Sequence, residues 1–256
     1  MGETGVMRNK GIMDAVNITM RHEEKYICSE RYLMLLEHKL RAIMEPDANQ
    51  GDDGYNIRSL YFDTLEDDLF NEGLQGIEKR NKYRVRIYNC ERQVIKLEKK
   101  TSNRYLKSKR TSRLLEEETQ RLMLNEELVS DLEHCNDDEL KQEFLTLQRT
   151  QLLQPKIIVD YNRMAFVSDI GNVRITLDRN ICATDKVTGF FDKELLLYPI
   201  LPRGVHLLEV KYDGILPGYL ARLLNYENLE RTSFSKYVLG MNMMKNNGRM
   251  SELYEF

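Results

Sequence analysis

The chain has 256 residues, 41% hydrophobic and 31% charged, with a formal net charge of −3. It is long enough to bury a core, it has no 18-residue apolar run that could form a spanning helix, and Cys28, Cys90, Cys135 and Cys182 lack the paired spacing of a zinc knuckle or disulfide framework. The small net charge conceals segregation: Lys79 to Arg113 carries 14 basic residues against Glu91 and Glu98, and the stretch from Glu116 to Glu143 is acidic.

Residues 1–18 read as a flexible N-terminal segment and residues 19–256 as one domain, since no linker divides them. The first predicted strand is Thr19 to Cys28, with Arg21, Glu23 and Lys25 on one face. Ser29 is placed to cap a helix whose apolar points are Leu33, Leu36, Leu40 and Ile43 or Met44, stopped by Pro46. A strand over Tyr55 to Asp63 and a helical turn over Thr64 to Gly73 follow the Asp/Gly-rich loop.

Next comes the basic core of the sequence. Tyr83, Val85 and Ile87 alternate with Lys82, Arg84 and Arg86, and Ile95 and Leu97 alternate with Lys96, Glu98 and Lys100, so the two stretches predict a hairpin. Arg104 to Arg113 predicts another strand. From Glu116 to Leu153 the period is helical, with Leu122, Leu128, Leu132, Leu140, Phe144 and Leu147 as apolar points. Pro155 ends that run, and Lys156 to Ser168 predicts a strand ending at Arg163. A turn at Asp169 to Asn172 leads into Val173 to Asp178, where Arg174, Thr176 and Asp178 share a face. Phe190 to Pro202 has no clear pattern. Val205 to Tyr212 is the last predicted strand, with Glu209 and Lys211 on one side, and helices are expected from Pro217 and over Ser233 to Met244.

Five strands thus carry one charged and one apolar face. A single such strand is read best as part of a sheet with one wet side. Helices with apolar stripes must cover an apolar sheet face, so five together predict an α+β fold: an antiparallel β-barrel tunnel with a charged interior and helices packed outside. Desolvated cations need counter-ions, which a bound polyanion supplies. No RNA-binding motif or groove-reading helix is recognisable, so nucleic acid is not the expected polyanion. Carboxylates among the cations point to a divalent metal held together with phosphate oxygens, the means of phosphoryl transfer. The histidines His22, His38, His134 and His206 form no cluster and read as structural.

At Arg21-His22-Glu23-Glu24-Lys25, Ser59 to Asp63, Tyr83 to Tyr88, Leu97 to Thr101, Tyr161 to Arg163, Val173 to Asp178, Leu208 to Lys211 and Ser233 to Tyr237 the chain resembles the triphosphate tunnel metalloenzymes, and among them the VTC-type polyphosphate polymerases. The resemblance spans Arg21 to Gly240 and makes residues 19–256 a VTC-like tunnel domain. It implies that Arg84, Arg86, Lys100, Arg163 and Arg174 act on the phosphates, that Lys25, Ser235 and Lys236 bind phosphate or ATP, and that Glu209 holds Mn²⁺ or Mg²⁺. The expected substrates are ATP and inorganic polyphosphate, and the expected location is the cytoplasm or the inner face of a membrane through a membrane-protein partner. Arg21 stands where the superfamily usually has a first glutamate, which favours the polymerase branch over hydrolytic relatives. A triphosphatase of the same fold and a non-catalytic polyphosphate-binding module are the alternatives.

Overall fold

The computed structural model describes residues 21–103, 106–127, 138–224 and 229–246. The expected N-terminal segment 1–18, the strand start at Thr19, Arg104, Leu128, Leu132, His134 and Cys135 lie outside the described residues, as does the side chain of Arg21. The chain opens with β1 (Arg21–Ser29), α1 (Glu30–Ile43), β2 (Glu45–Pro46), β3 (Tyr55–Asp63) and α2 (Asp68–Leu74). The basic stretch forms β4 (Lys79–Tyr88), β5 (Ile95–Asn103) and β6 (Leu106–Leu114), followed by α3 (Glu116–Met123) and α4 (Glu139–Gln151). The remainder is β7 (Gln154–Ser168), β8 (Val173–Thr184), β9 (Tyr198–Pro199), β10 (Val205–Asp213), α5 (Gly218–Leu224) and α6 (Lys236–Lys245). Among the described residues no helix is long and apolar enough to cross a membrane.

Local chemistry explains several boundaries. The Ser29 hydroxyl accepts the Tyr32 N–H at 3.3 Å and caps α1. Met44 rather than Ile43 completes its apolar stripe, being 7% exposed against 46%. Arg163 lies inside β7 rather than at its end, because the strand continues to pair with β8 through Ser168. Pro155 sits in the second position of β7, beside a register shift opposite Tyr61 and Phe62, where a missing N–H is tolerated.

All ladders are antiparallel, and the eight longer strands run in the order β1-β10-β8-β7-β3-β4-β5-β6. The predicted closed barrel is therefore corrected: among the described residues no ladder joins β1 to β6. The sheet instead curls until its two ends meet through side chains. Glu23 of β1 pairs with Lys107 of β6 at 3.0 Å and with Lys100 of β5 at 3.3 Å. Arg231 bridges Tyr26, and the Thr232 N–H donates to the Lys25 carbonyl at 2.8 Å, so this segment lines the outer edge of β1.

The convex face carries two apolar clusters. One, with Val85, Ile87, Leu97 and Ile158, lies under α3 and α4 through Leu122 and Phe144; the other, with Tyr26, Phe166, Ile175 and Val210, lies under α1 and α5. The expectation that every helix lies outside fails at α6. This helix packs on the concave face against Ile57, Tyr61, Val159, Tyr161 and Ala183. Tyr237, Val238, Leu239, Gly240, Met241 and Met243 are all buried, so α6 has almost no wet side. The Asp63 carboxylate ties it down: it accepts the Tyr237 hydroxyl and the N–H groups of Leu69 at 2.9 Å and Phe70 at 2.8 Å, linking β3, α2 and α6.

Close approach of α6 depends on Gly240. A Cβ there would stand 2.6 Å from Ile157 Cδ1 and 3.2 Å from Ala183 Cβ. Gly240→Leu is expected to destabilise the protein by about 1–3 kcal/mol through overpacking, read as a lower urea midpoint.

Candidate anion-binding site

Above α6 the concave face encloses a cavity of about 510 Å³. Eleven basic side chains line it against two carboxylates, Glu23 and Glu209, and even with the carboxylates behind the lining counted the bases are in excess, which favours an anion. All nine site residues expected from the sequence lie on it: Lys25, Arg84, Arg86, Lys100, Arg163, Arg174, Glu209, Ser235 and Lys236. They come from β1, β4, β5, β7, β8 and β10 and from the start of α6. The period-two pattern is what turns these strand residues to one face.

The arginines are held by buried carboxylates. Glu98, 1% exposed, accepts from Arg84 Nε at 2.8 Å and lies 3.7 Å from Arg86 Nη1. Arg84 Nη1 also donates to the Tyr61 hydroxyl at 3.1 Å, and Arg86 Nη2 to the Tyr161 hydroxyl at 3.3 Å. Arg163 forks onto Asp178 at 2.6 and 2.7 Å, and Lys236 reaches the same carboxylate at 2.7 Å. Much of the Arg163 fork is thus already engaged. Arg174 pairs with Asp47 and donates to the Tyr55 hydroxyl at 3.3 Å. Asp160 is not a partner of Arg163; it serves Arg58 on the other face at 2.7 Å.

Burial opposes ionisation of Glu98, but Arg84, Arg86 and Lys109 hold its carboxyl down at about 2. Burial and Glu209 push the Glu23 carboxyl up, yet Lys100, Lys25 and Lys211 outweigh them and bring it to about 2. Glu209 is likewise kept well below the carboxylate range by Lys211, Lys25 and Arg163 against the effect of burial. The lysines go the other way. Burial, with Lys25, Lys100 and Arg80 nearby, lowers the Lys82 ammonium to about 7; burial, aided by Lys25 and Lys211, lowers Lys100 to about 7 against the pull of Glu23 and Glu209. Lys82 and Lys100 are direct cross-strand partners, and such like charges repel. Lys82 donates to Ser235 Oγ at 2.8 Å, and the same oxygen accepts the Val238 N–H at 3.3 Å, capping α6 beside the cavity.

These displacements set a pH signature. Unfolded lysines titrate near 10.4, so between about 7 and 10.4 these two lysines bind fewer protons in the folded, unliganded chain than in the unfolded one, and their own contribution to stability rises with pH. An anion in the cavity restores both ammonium groups. The two lysines should therefore take up protons when tripolyphosphate binds at about pH 8, with affinity falling as pH rises above about 7, whereas at about pH 5.5 they are already charged and the ligand's own terminal phosphates release protons instead. Titration calorimetry in buffers of different ionisation enthalpy measures this uptake directly.

A metal can be tested against the same residues. Among the described residues no group of three or more His, Cys, Asp or Glu could hold an ion. Glu209 is 2.7 Å from Lys211 and 3.8 Å from Arg163, and Glu23 faces the same cavity. Two carboxylates suit a small divalent ion that takes its remaining ligands from phosphate oxygens and water, so the residues fit an ion that shares the cavity with a polyphosphate. The tyrosines 61 and 161 and the counter-ion Asp47 were not identified from the sequence. The tyrosines sit at alternating positions that read as core, and Asp47 lies in a loop 127 residues from Arg174.

The chain is an α+β protein with a curled antiparallel sheet around a strongly basic cavity. The VTC domain model matches residues 20–245, and the chain belongs to that family. A putative adenylate cyclase from Bacillus halodurans is similar in fold, with a TM-score of 0.50 and 12% identity over 85% of this chain and 94% of that one. A putative adenylate cyclase from Vibrio parahaemolyticus gives 0.43 and 13% over 86% and 97%, and the mimivirus capping enzyme triphosphatase 0.39 and 10% over 82% and 89%. No curated protein matches the chain.

Proposed function

We propose that the protein is a metal-dependent ATP:polyphosphate phosphotransferase, moving the γ-phosphoryl group of ATP onto the end of a growing inorganic polyphosphate chain. The observation that carries this reading is the lining of the cavity, eleven basic side chains to two carboxylates, in a chain of the VTC family. Two unit charges 4 Å apart repel by about 4 kcal/mol at an effective dielectric near 20, and donor and acceptor phosphates bring several such pairs together. Arg84 and Arg86, fixed by Glu98, offset that repulsion with forked contacts to phosphate oxygens. Lys25, Lys100, Lys236, Arg163 and Arg174 hold the flanking phosphates, and Ser235 aligns the start of α6 with them.

Glu209, with Glu23 nearby, would hold Mn²⁺ or Mg²⁺, which when bound neutralises charge on the triphosphate oxygens. The acceptor phosphate is already ionised near neutral pH, so transfer needs no general base. Hydrolysis needs a positioned water, and both lining carboxylates are engaged with lysines: Glu209 with Lys211, and Glu23 with Lys100 and Lys107. That engagement favours transfer over hydrolysis. The test is incubation of the purified chain with ATP and Mn²⁺ and resolution of the products by gel. A ladder of long chains supports the polymerase. Orthophosphate alone replaces it with a triphosphatase, and binding without product replaces it with an anion-binding module.

A further inference from the structure

The two end strands of the sheet finish their outer edges differently. β1 gives its edge to Arg231 and Thr232, which meet it at Tyr26 and Lys25, so at those positions it cannot join β6. Along β6 every residue from Lys107 to Thr111 is exposed, and among the described residues no strand pairs with its outer edge. A seam therefore runs down one side of the basic cavity, spanned by the side chains of Glu23, Lys100 and Lys107.

A row of cations leads inward from this seam. Lys109, Lys100 and Lys82 are direct partners on β6, β5 and β4, and adjacent strands lie about 4.8 Å apart. The row starts at Lys109, whose side chain is 57% exposed, passes the half-buried Lys100, and ends where Lys82 donates to Ser235 Oγ at 2.8 Å. Lysines on an exposed edge strand guard against pairing with another chain, and that use accounts for Lys109. It does not account for Lys100 and Lys82, which line the cavity and repel each other across the strands. A row of like charges that runs from solvent to the start of α6 steers an anion across the strands rather than along them.

Resting on the polyphosphate reading of the basic cavity, we infer that the seam is a lateral entrance: a polyphosphate chain is laid in sideways by its middle phosphates, without being threaded by an end. Glu23 is the group that yields. It holds Lys100 at 3.3 Å and Lys107 at 3.0 Å across the seam, and it lies 3.4 Å from Lys25 of its own strand. When phosphates take Lys100 and Lys107, Lys25 stays with the carboxylate, so opening leaves no unpaired buried charge. Internal phosphates outnumber ends in a long chain, and lateral entry lets any of them be captured.

The test uses a long polyphosphate carrying biotin at both ends, either bare or loaded with monovalent streptavidin, which is too bulky to pass through the cavity. Binding to the full chain is measured by calorimetry with and without saturating tripolyphosphate. The expected result is that streptavidin weakens binding by less than about threefold and that tripolyphosphate suppresses binding of both forms. A greater loss on adding streptavidin, or binding of the blocked chain that tripolyphosphate leaves untouched, overturns the entrance. The polyphosphate reading then still stands, because the bare chain competes with tripolyphosphate. If neither the bare chain nor tripolyphosphate binds, both are overturned.

Discussion

Arg84→Ala combined with Arg86→Ala is expected to abolish the polyphosphate ladder. Each guanidinium is aimed into the basic cavity, and a hydrogen bond to a charged group contributes about 1.5–3 kcal/mol. Losing two such contacts with the transferred phosphates should lower the rate by roughly 10²–10⁴-fold. The double alanine change also strips Glu98 of its nearest partners, leaving a buried carboxylate beside Lys109 at 3.4 Å. The double lysine variant separates the two effects. It keeps both positive charges against Glu98 but lacks the forked geometry, so it should fold with a near-native melting temperature and retain only a small part of the activity. Polymer formation measured by gel, with melting curves for both variants, decides the matter; an undiminished ladder from the alanine variant would remove the arginines from the mechanism.

Glu98→Gln is expected to have the second-largest effect, on stability. At 1% exposure the Glu98 carboxylate neutralises two guanidinium groups, one of which, on Arg86, is itself only 7% exposed. Breaking a buried pair by removing one partner costs about 3–5 kcal/mol, because an uncompensated charge stays behind. The variant should therefore melt well below the wild type without ligand. Tripolyphosphate should then raise its melting temperature more than it raises that of the wild type, since the ligand replaces a missing internal anion. Equal ligand-induced shifts in the two proteins would mean that Glu98 and the ligand do not meet the same arginines. In the wild type the Glu98 contribution is present above the normal carboxylate range and is lost as pH falls toward about 2.

The strands were the legible part of the fold. Their charges alternate with valine, isoleucine and leucine, so Lys82, Arg84 and Arg86 declared a common face before any pairing was known, and β3 begins and ends where its pattern does. The same periodicity turns the seven strand residues among the nine to one cavity, which Ser235 and Lys236 reach from the start of α6. Closure was not legible, because a period of two reports the face of a strand and not which edge it meets. The inward placement of α6 did leave a signal: Tyr237 to Met243 lacks the polar face of a surface helix. The counter-ion of Arg174 could not be read, since a loop aspartate gives no periodic signal.

The meeting of β1 and β6 has a consequence of its own. A hydrogen-bonded ladder keeps its strength in any buffer, whereas a join made by Glu23 with Lys100 and Lys107 weakens as ionic strength rises. Those lysines also line the cavity, so an anion that engages them competes with Glu23 for the same ammonium groups. The wall is fastened most firmly when nothing is inside it, and filling the cavity loosens the clasp that shaped it.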